Sequence, residues 1–159
     1  MLADSGGAQW LGGQVAWLRI DGTHIDYPVM QAGDNRWYLS HDFLNREETM
    51  GAIFLDYRND DDFSDDVSII YGHRMNGNLM FSDVAKYADS KYFFEHKNGK
   101  LYLRNGKSMQ LTAVAYLQID ADDELYQDLV IDDYDSVVVL STCDRAVHEK
   151  RDVLILRKE

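Results

Sequence analysis

Cysteine and proline are nearly absent from this chain of 159 residues, which contains 1 of each. A single cysteine excludes an internal disulfide and any zinc site built from several thiolates. Basic residues are also few, because 16 lysines and arginines stand against 28 aspartates and glutamates, for a net charge of -12. Binding to nucleic acid or to an anionic membrane surface needs clustered lysine and arginine, so this composition argues against both.

Long hydrophobic segments are missing as well. No apolar run approaches the roughly 18 residues of a membrane-spanning helix. Residues 1–13 are rich in glycine and lack the basic start and apolar centre of a signal peptide. The length and the 45% of apolar residues fit one packed domain. We therefore predict a flexible or helical lead-in over residues 1–13 and a folded domain over residues 14–159.

Strand patterns dominate what is present. Apolar residues recur with a short period in eight segments, at residues 15–20, 23–29, 52–56, 67–71, 100–104, 108–117, 137–141 and 152–157. Asp21-Gly22 and Asn105-Gly106 are hairpin signatures, because glycine accepts the positive φ that tight turns require. The pattern predicts a closed or nearly closed β-barrel that is mostly antiparallel.

The predicted helices are few and short. They lie at residues 37–39, after a Ser82-Asp83 cap and after an Asp89-Ser90 cap. The run of residues 137–140 is apolar throughout, so we predict a central strand that is covered on both faces. The lone cysteine, Cys143, follows the end of this strand.

Cys143 is a candidate nucleophile. A lone cysteine is commonly a small buried hydrophobe. However, this one stands where a buried strand runs into a polar loop at residues 144–150, and a rigid strand end that opens to solvent suits a reactive group. A thiolate nucleophile needs a proton partner and a group that stabilises the oxyanion.

Histidines and arginines supply both functions. His73 is the best-placed proton partner because it too ends an apolar strand, while His148, in the loop after the cysteine, is a rival. Arg145 and Arg151 are candidates for the oxyanion, since a guanidinium stays charged and offers several donors. The other histidines have ordinary predicted positions: a strand face for His24 and helical turns for His41 and His96.

Two acidic clusters, at residues 59–66 and 120–124, are candidate calcium sites, because Ca²⁺ prefers oxygen ligands. Neither cluster has the twelve-residue spacing of an EF-hand. We predict solvated loops and no cofactor, with Ca²⁺ as a minor hypothesis.

Several segments together resemble the sortases. Leu140-Ser141-Thr142-Cys143 is similar to their TLxTC signature. Tyr71-Gly72-His73, followed by Asn76-Gly77 and Met80-Phe81, resembles the histidine segment of class B sortases. Further similar segments lie at residues 25–29, 34–39, 51–56 and 92–96, so the resemblance covers about residues 14–157.

The resemblance implies a closed eight-stranded barrel of the sortase type, with mixed parallel and antiparallel strands and a few short helices. Residues 14–159 would be the catalytic domain. Cys143 would be the nucleophile, His73 the acid and base, and Arg151, rather than Arg145, the oxyanion stabiliser. By the same likeness the substrate groove would be lined by Asn35, Leu39, Tyr71, Ser141 and Thr142.

The implied reaction is transpeptidation. The enzyme would cleave a C-terminal sorting signal, LPxTG-like or NPxTN-like, after its threonine and transfer a surface protein or pilin to an amine of peptidoglycan or of a pilin. It would work at the extracellular face of the bacterial cell membrane, with membrane contact only through an N-terminal anchor that precedes residue 1. Class B sortases carry a long helical insertion where this chain has a short, acidic and weakly helical connection, at residues 118–136.

Two other functions fit the same residues. A thiol hydrolase would use Cys143, His73 and Arg151 but release its product to water. A non-enzymatic β-barrel binding module would merely pack Cys143. The sequence leaves the sorting motif and the acceptor amine open.

Overall fold

The computed structural model describes residues 10–75, 77–120, 136–143 and 150–159, apart from the side chain of Cys143. Within these residues eight strands form a closed barrel in the order β1-β2-β3-β4-β7-β8-β6-β5. The strands are β1 Gln14–Ile20, β2 Asp26–Met30, β3 Ile53–Leu55, β4 Val67–His73, β5 Asn98–Leu103, β6 Ser108–Asp120, β7 Val137–Cys143 and β8 Lys150–Lys158. The predicted closed barrel is confirmed.

Strand directions in the barrel are mixed. The β2–β3 and β4–β7 pairs are parallel, and the other neighbouring strands are antiparallel. The β7 strand lies between β4 and β8, and its residues 137–140 are at most 2% exposed. The apolar run therefore forms a central strand, as predicted, because an unbroken apolar sequence needs cover on both faces.

The two faces of β7 belong to different apolar clusters. Val138 and Leu140 face the barrel interior, in a cluster that draws residues from all eight of the described strands. Val139 belongs to a second cluster on the outer face, with Phe54 of β3 and Ile155 of β8. This outer layer covers the side of the barrel on which β4, β7 and β8 lie next to one another.

One predicted hairpin is wrong in detail. The β2 strand begins at Asp26 rather than at Thr23, so the β1–β2 connection is longer than the two-residue Asp21-Gly22 turn. The His24 backbone N–H donates to Asp83 Oδ2 at 2.7 Å, and its ring Nδ1 lies 2.9 Å from the same oxygen. His24 is thus not on a strand face but in the loop between β1 and β2, where it hydrogen-bonds to the Asp83 carboxylate instead of pairing with β1.

The predicted helices are present, and the first has the predicted bounds. Two 3-10 helices cover Trp37–Leu39 and Ser82–Ala88, and helix α1 covers Ser90–Glu95. The Asp89 cap is confirmed, since its carboxylate accepts from Tyr92 N–H at 2.8 Å. The Ser82-Asp83 cap is wrong, because Phe81 occupies the N-cap. Of the helices that the structure describes, none combines the length and apolar character needed to cross a bilayer.

The acidic segment at residues 59–66 folds around a lysine. Lys158 Nζ donates to the carbonyl oxygens of Phe63 at 2.7 Å and Asp65 at 2.6 Å. Burial lowers the pKa of Lys158, and the nearby aspartate charges partly oppose this shift. In the described part of the chain, no group of three or more histidine, cysteine or acidic residues could hold a metal ion. Residues 121–124 of the other acidic cluster lie outside the described residues.

We expect Lys158→Met to destabilise the fold by about 1–3 kcal/mol, because the carbonyl oxygens of Phe63 and Asp65 lose a charged donor. Urea unfolding followed by tryptophan fluorescence measures this change. The matched control is Lys107→Met, on the exposed β5–β6 turn, which is expected to change stability by less than about 0.5 kcal/mol. Equal losses in the two variants would contradict the prediction.

Candidate active site

Parallel pairing of β4 and β7 brings the candidate histidine and cysteine together. The register runs without a break from Val67 opposite Val137 to His73 opposite Cys143. Neighbouring strands lie about 4.8 Å apart, so these two positions are adjacent although they are distant in the chain. Each residue ends its strand, so the pair lies at one end of the barrel.

The candidate arginine lies at the same end of the barrel. The antiparallel β7–β8 register pairs Val139 with Ile155 and Ser141 with Val153. Continued by two residues, this register sets Arg151 opposite Cys143. Arg151 is half-buried and pairs on its other side with Ile119 of β6. The end of β7 is therefore flanked by His73 on one side and Arg151 on the other.

Strand alternation puts these positions on the outer face of the barrel. Successive strand residues point to opposite faces, so His73 shares a face with Tyr71 and Arg151 shares one with Val153. Tyr71 and Val153 both belong to the outer apolar cluster. At this end of the barrel, the outer face is thus an apolar surface that ends in a histidine and an arginine.

The His73 ring is buried and oriented by the backbone. His73 is only 4% exposed, and its ring Nε2 lies 2.8 Å from the Leu39 carbonyl oxygen. A carbonyl oxygen only accepts hydrogen bonds, so Nε2 carries the proton of this contact. Leu39, predicted to line the groove, has this additional role through its backbone.

Gly51 holds the loop that carries this carbonyl. It has φ +62, and a Cβ there would lie 2.1 Å from the Tyr38 oxygen and 2.9 Å from the Leu39 oxygen. Ala52 N–H donates to the Tyr38 oxygen at 2.9 Å, which ties the loop to the start of β3. The sequence did not identify Gly51 as important, because a close backbone approach leaves no local pattern.

We expect Gly51→Ala to lower activity about tenfold or more, since a displaced Leu39 carbonyl no longer orients His73. It should also destabilise the fold by about 2 kcal/mol through backbone strain and the contact. Steady-state kinetics and urea unfolding measure the two effects. Gly106→Ala is the matched control, because Gly106 has φ +89 and no described atom lies within 4 Å of its Cβ position. An equal loss of activity in the control would contradict the role of the Leu39 carbonyl.

Two of the predicted groove residues meet at a buried carboxylate. Asp56 is 1% exposed and accepts from Asn35 Nδ2 and from the Tyr71 hydroxyl, each at 3.0 Å. Burial alone would raise the pKa of Asp56, but hydrogen bonds, from Arg58 first and then from Asn35 and Tyr71, lower it to about 2. The sequence missed Asp56, whose importance depends on partners from three separate segments.

The remaining groove candidates have little side-chain exposure. Ser141 is 0% exposed and Thr142 is 3% exposed. Thr142 Oγ1 accepts from the backbone N–H of Asp152 at 2.9 Å, so its hydroxyl is engaged with β8. A contribution of Thr142 to substrate binding therefore rests on its backbone. The five groove assignments stay predictions.

Two of the other histidines, His41 and His96, pack against aromatic rings. His41 stacks on Trp37 with ring centroids 3.7 Å apart, and His96 stacks on Tyr92 at 3.9 Å. Outside the described residues lie Arg145, His148, Asn76, residues 121–135 of the predicted acidic connection and residues 1–9 of the predicted lead-in over residues 1–13.

A comparison with protein families identifies one family over most of the chain. The family model described as "Sortase domain" matches residues 18–158. The chain belongs to the sortase family. Sortases are cysteine transpeptidases, and the class is indicated by individual relatives.

Sortase B proteins are the curated relatives. The chain is 46% identical to sortase B of Listeria monocytogenes over 82 residues, which are 52% of this chain and 33% of that protein. It is 29% identical to sortase B of Staphylococcus aureus over 168 aligned positions, covering 90% of this chain and 69% of that protein. The first match thus spans only about a third of the relative's length.

Solved class B sortases have the same fold. A Streptococcus pyogenes class B sortase involved in pilus biogenesis superposes with a TM-score of 0.84 at 28% identity, covering 94% of this chain and 93% of that chain. Staphylococcus aureus sortase B gives 0.83 at 25% identity, covering 93% and 82%. The barrel is therefore a sortase barrel of class B.

Proposed function

We propose that this protein is a class B cysteine transpeptidase that joins a sorted protein to an amine at the cell surface. The observation that carries the proposal is the register that sets His73 and Cys143 opposite each other, with Arg151 on the next strand. Acyl transfer requires a nucleophile, a proton carrier and a group that stabilises the oxyanion, and candidates for all three lie at one end of the barrel.

The first half of the reaction forms an acyl-enzyme. The Cys143 thiolate attacks the carbonyl carbon of the threonine in the sorting signal, and Arg151 stabilises the oxyanion of the tetrahedral intermediate. His73 donates a proton to the leaving amine as the peptide bond breaks. The product is a thioester between Cys143 and the threonine, which divides one difficult step into two easier ones.

The second half transfers the acyl group. An acceptor amine attacks the thioester carbonyl, His73 takes up the amine proton, and the Cys143 thiolate leaves. The acceptor is an amine of peptidoglycan or of a pilin. The Streptococcus pyogenes relative, which is involved in pilus biogenesis, supports a pilin as one possibility.

The substrate is a C-terminal sorting signal of the LPxTG or NPxTN type, cleaved after its threonine. A solved Staphylococcus aureus sortase B–substrate complex, with 25% identity to this chain, supports a peptide substrate for the groove. We place the protein at the extracellular face of the bacterial membrane, where sorted proteins and peptidoglycan are available. No cofactor is part of the proposed reaction.

A peptide-library assay tests this function. Purified protein is incubated with five-residue sorting signals, with and without oligoglycine or a diaminopimelate-type amine, and the products are identified by mass spectrometry. We expect cleavage after threonine and an amine adduct that forms only when the amine is present. Cleavage that yields the free carboxylate even with excess amine would indicate the thiol hydrolase instead.

A thiol-reactive methanethiosulfonate probe tests the binding-module alternative. We expect Cys143 to react in the folded protein, because a nucleophile must be accessible to its substrate. A thiol that reacts only after unfolding, together with the absence of cleavage, would favour the binding module.

A further inference from the structure

A second polar cluster lies behind the candidate active site. Its members are Arg74, Thr142 and Asp152, and each is the immediate chain neighbour of His73, Cys143 or Arg151. Because successive residues of a strand point to opposite faces, these neighbours project away from the outer face that carries the candidate active site. The three residues contact one another through Asp152.

Asp152 is the centre of this cluster. It is 1% exposed, and its Oδ2 accepts from Arg74 Nη1 at 3.1 Å. Its Oδ1 accepts from the Tyr116 hydroxyl at 2.5 Å. Its backbone N–H donates to Thr142 Oγ1 at 2.9 Å. The carboxylate of Asp152 thus connects β8 to its neighbour β6 and, across β7, to the residue that follows β4.

A buried carboxylate at this position is costly unless it is paired. The next residues on the same face of β8, Leu154 and Leu156, are apolar and belong to the barrel interior. Burial raises the pKa of Tyr116, and the hydrogen bond to Asp152 raises it further, so the phenol stays a donor. An apolar residue would satisfy packing here, whereas an aspartate adds directional contacts to two neighbouring elements.

The ion pair itself contributes little to stability. The Arg74 side chain is 52% exposed, and ion pairs with an exposed partner are weak because water screens them. Its geometric effect is larger, because it joins the residue after His73 to the residue after Arg151. It spans the width of β7 near the C-terminal end of that strand.

We propose that Arg74 and Asp152 are positioning residues, whose ion pair fixes the separation between His73 and Arg151. This inference rests on the proposed function, since the two positioned residues are the proton carrier and the oxyanion stabiliser. The pair acts on the transition state through these two side chains and does not touch the substrate. Its loss should therefore lower kcat more than it changes KM.

The test compares Arg74→Gln, Arg74→Lys, Asp152→Asn and the Arg74→Gln/Asp152→Asn double variant with Asp83→Asn. Asp83 is the matched control, because it is also 1% exposed and its Oδ1 lies 2.8 Å from Lys86 Nζ. We expect Asp152→Asn and Arg74→Gln to lower kcat about 10- to 100-fold with KM within about twofold. Arg74→Lys should retain at least about a third of the kcat because it keeps the charge. The double variant should lose no more than the worse single variant.

Several outcomes would overturn the inference. Kcat losses no larger than that of Asp83→Asn would reduce the pair to a structural contact, and so would losses that multiply in the double variant. If Asp152→Asn does not fold, the half-exposed Arg74→Gln and its lysine rescue decide the question.

A second measurement separates this inference from the proposed function. The rate of Cys143 alkylation by iodoacetamide needs no substrate, and it follows the thiolate fraction that nearby cations stabilise. We expect Arg74→Gln and Asp152→Asn to slow alkylation at neutral pH, with Asp83→Asn unchanged. A wild-type protein that cleaves no sorting peptide would refute the proposed function, and unchanged alkylation in the variants would refute the positioning pair.

Discussion

Replacing Cys143 by alanine is expected to abolish transpeptidation of a sorting peptide. The thiolate is the group that forms the covalent intermediate, so its removal should lower kcat by at least about 10⁴-fold, as removal of a catalytic nucleophile does in other acyl-transfer enzymes. Mass spectrometry should find no thioester adduct on the variant. The rest of the site is unaltered, so the peptide should still bind.

The control for this experiment is Cys143→Ser, which keeps a hydroxyl nucleophile of much lower reactivity. We expect it to retain peptide binding, measured by fluorescence anisotropy of a labelled sorting peptide, and to be as impaired in turnover as the alanine variant. Undiminished turnover by Cys143→Ala would refute the mechanism. Because the chain contains 1 cysteine, no other thiol can replace it.

Replacing Arg151 by methionine is expected to lower kcat by about 10²- to 10³-fold, the usual effect of removing one oxyanion donor. Methionine keeps the length and apolar stem of the side chain, so the half-buried position stays filled. Arg151→Lys should be intermediate, because it restores the charge but not the forked geometry of the guanidinium. Single-turnover kinetics of acyl-enzyme formation isolate the affected step.

Arg145→Met is the matched control, since Arg145 is the other arginine that follows the cysteine in sequence. We expect it to retain at least about half of the wild-type kcat, because the sortase resemblance assigns the oxyanion role to Arg151 and not to Arg145. The reverse result, with Arg145→Met inactive and Arg151→Met active, would move the oxyanion role to the loop. It would also remove the basis of the Arg74–Asp152 positioning pair.

The barrel was largely predictable because local patterns of apolar residues and turn residues indicate its strands. The apolar run of residues 137–140 predicted a central strand, and Asn105-Gly106 predicted a hairpin turn. In the structure, Gly106 has the positive φ of +89 that such a turn requires. These features depend on neighbours in sequence, which a single sequence displays. The Asp21-Gly22 hairpin was wrong because a long-range contact, from His24 to Asp83, outweighed the local turn preference.

The site was predictable only in part. The residues named as nucleophile, proton partner and oxyanion stabiliser came from strand ends and from the sortase resemblance. Asp56 and Asp152 were missed, since aspartates are usually exposed and nothing local indicates that these two are buried. Gly51 was missed for a similar reason, because its role is defined by the carbonyl groups it approaches.

The sequence by itself determined the type of secondary structure, and it indicated the residues that we propose for the chemistry. Composition left one thiol, and strand periodicity set it at the end of a buried segment. Only the tertiary structure decided which strand positions lie next to position 143. Parallel pairing of β4 with β7 and antiparallel pairing of β7 with β8 define a register, and register arises from contacts between distant segments that no local pattern encodes.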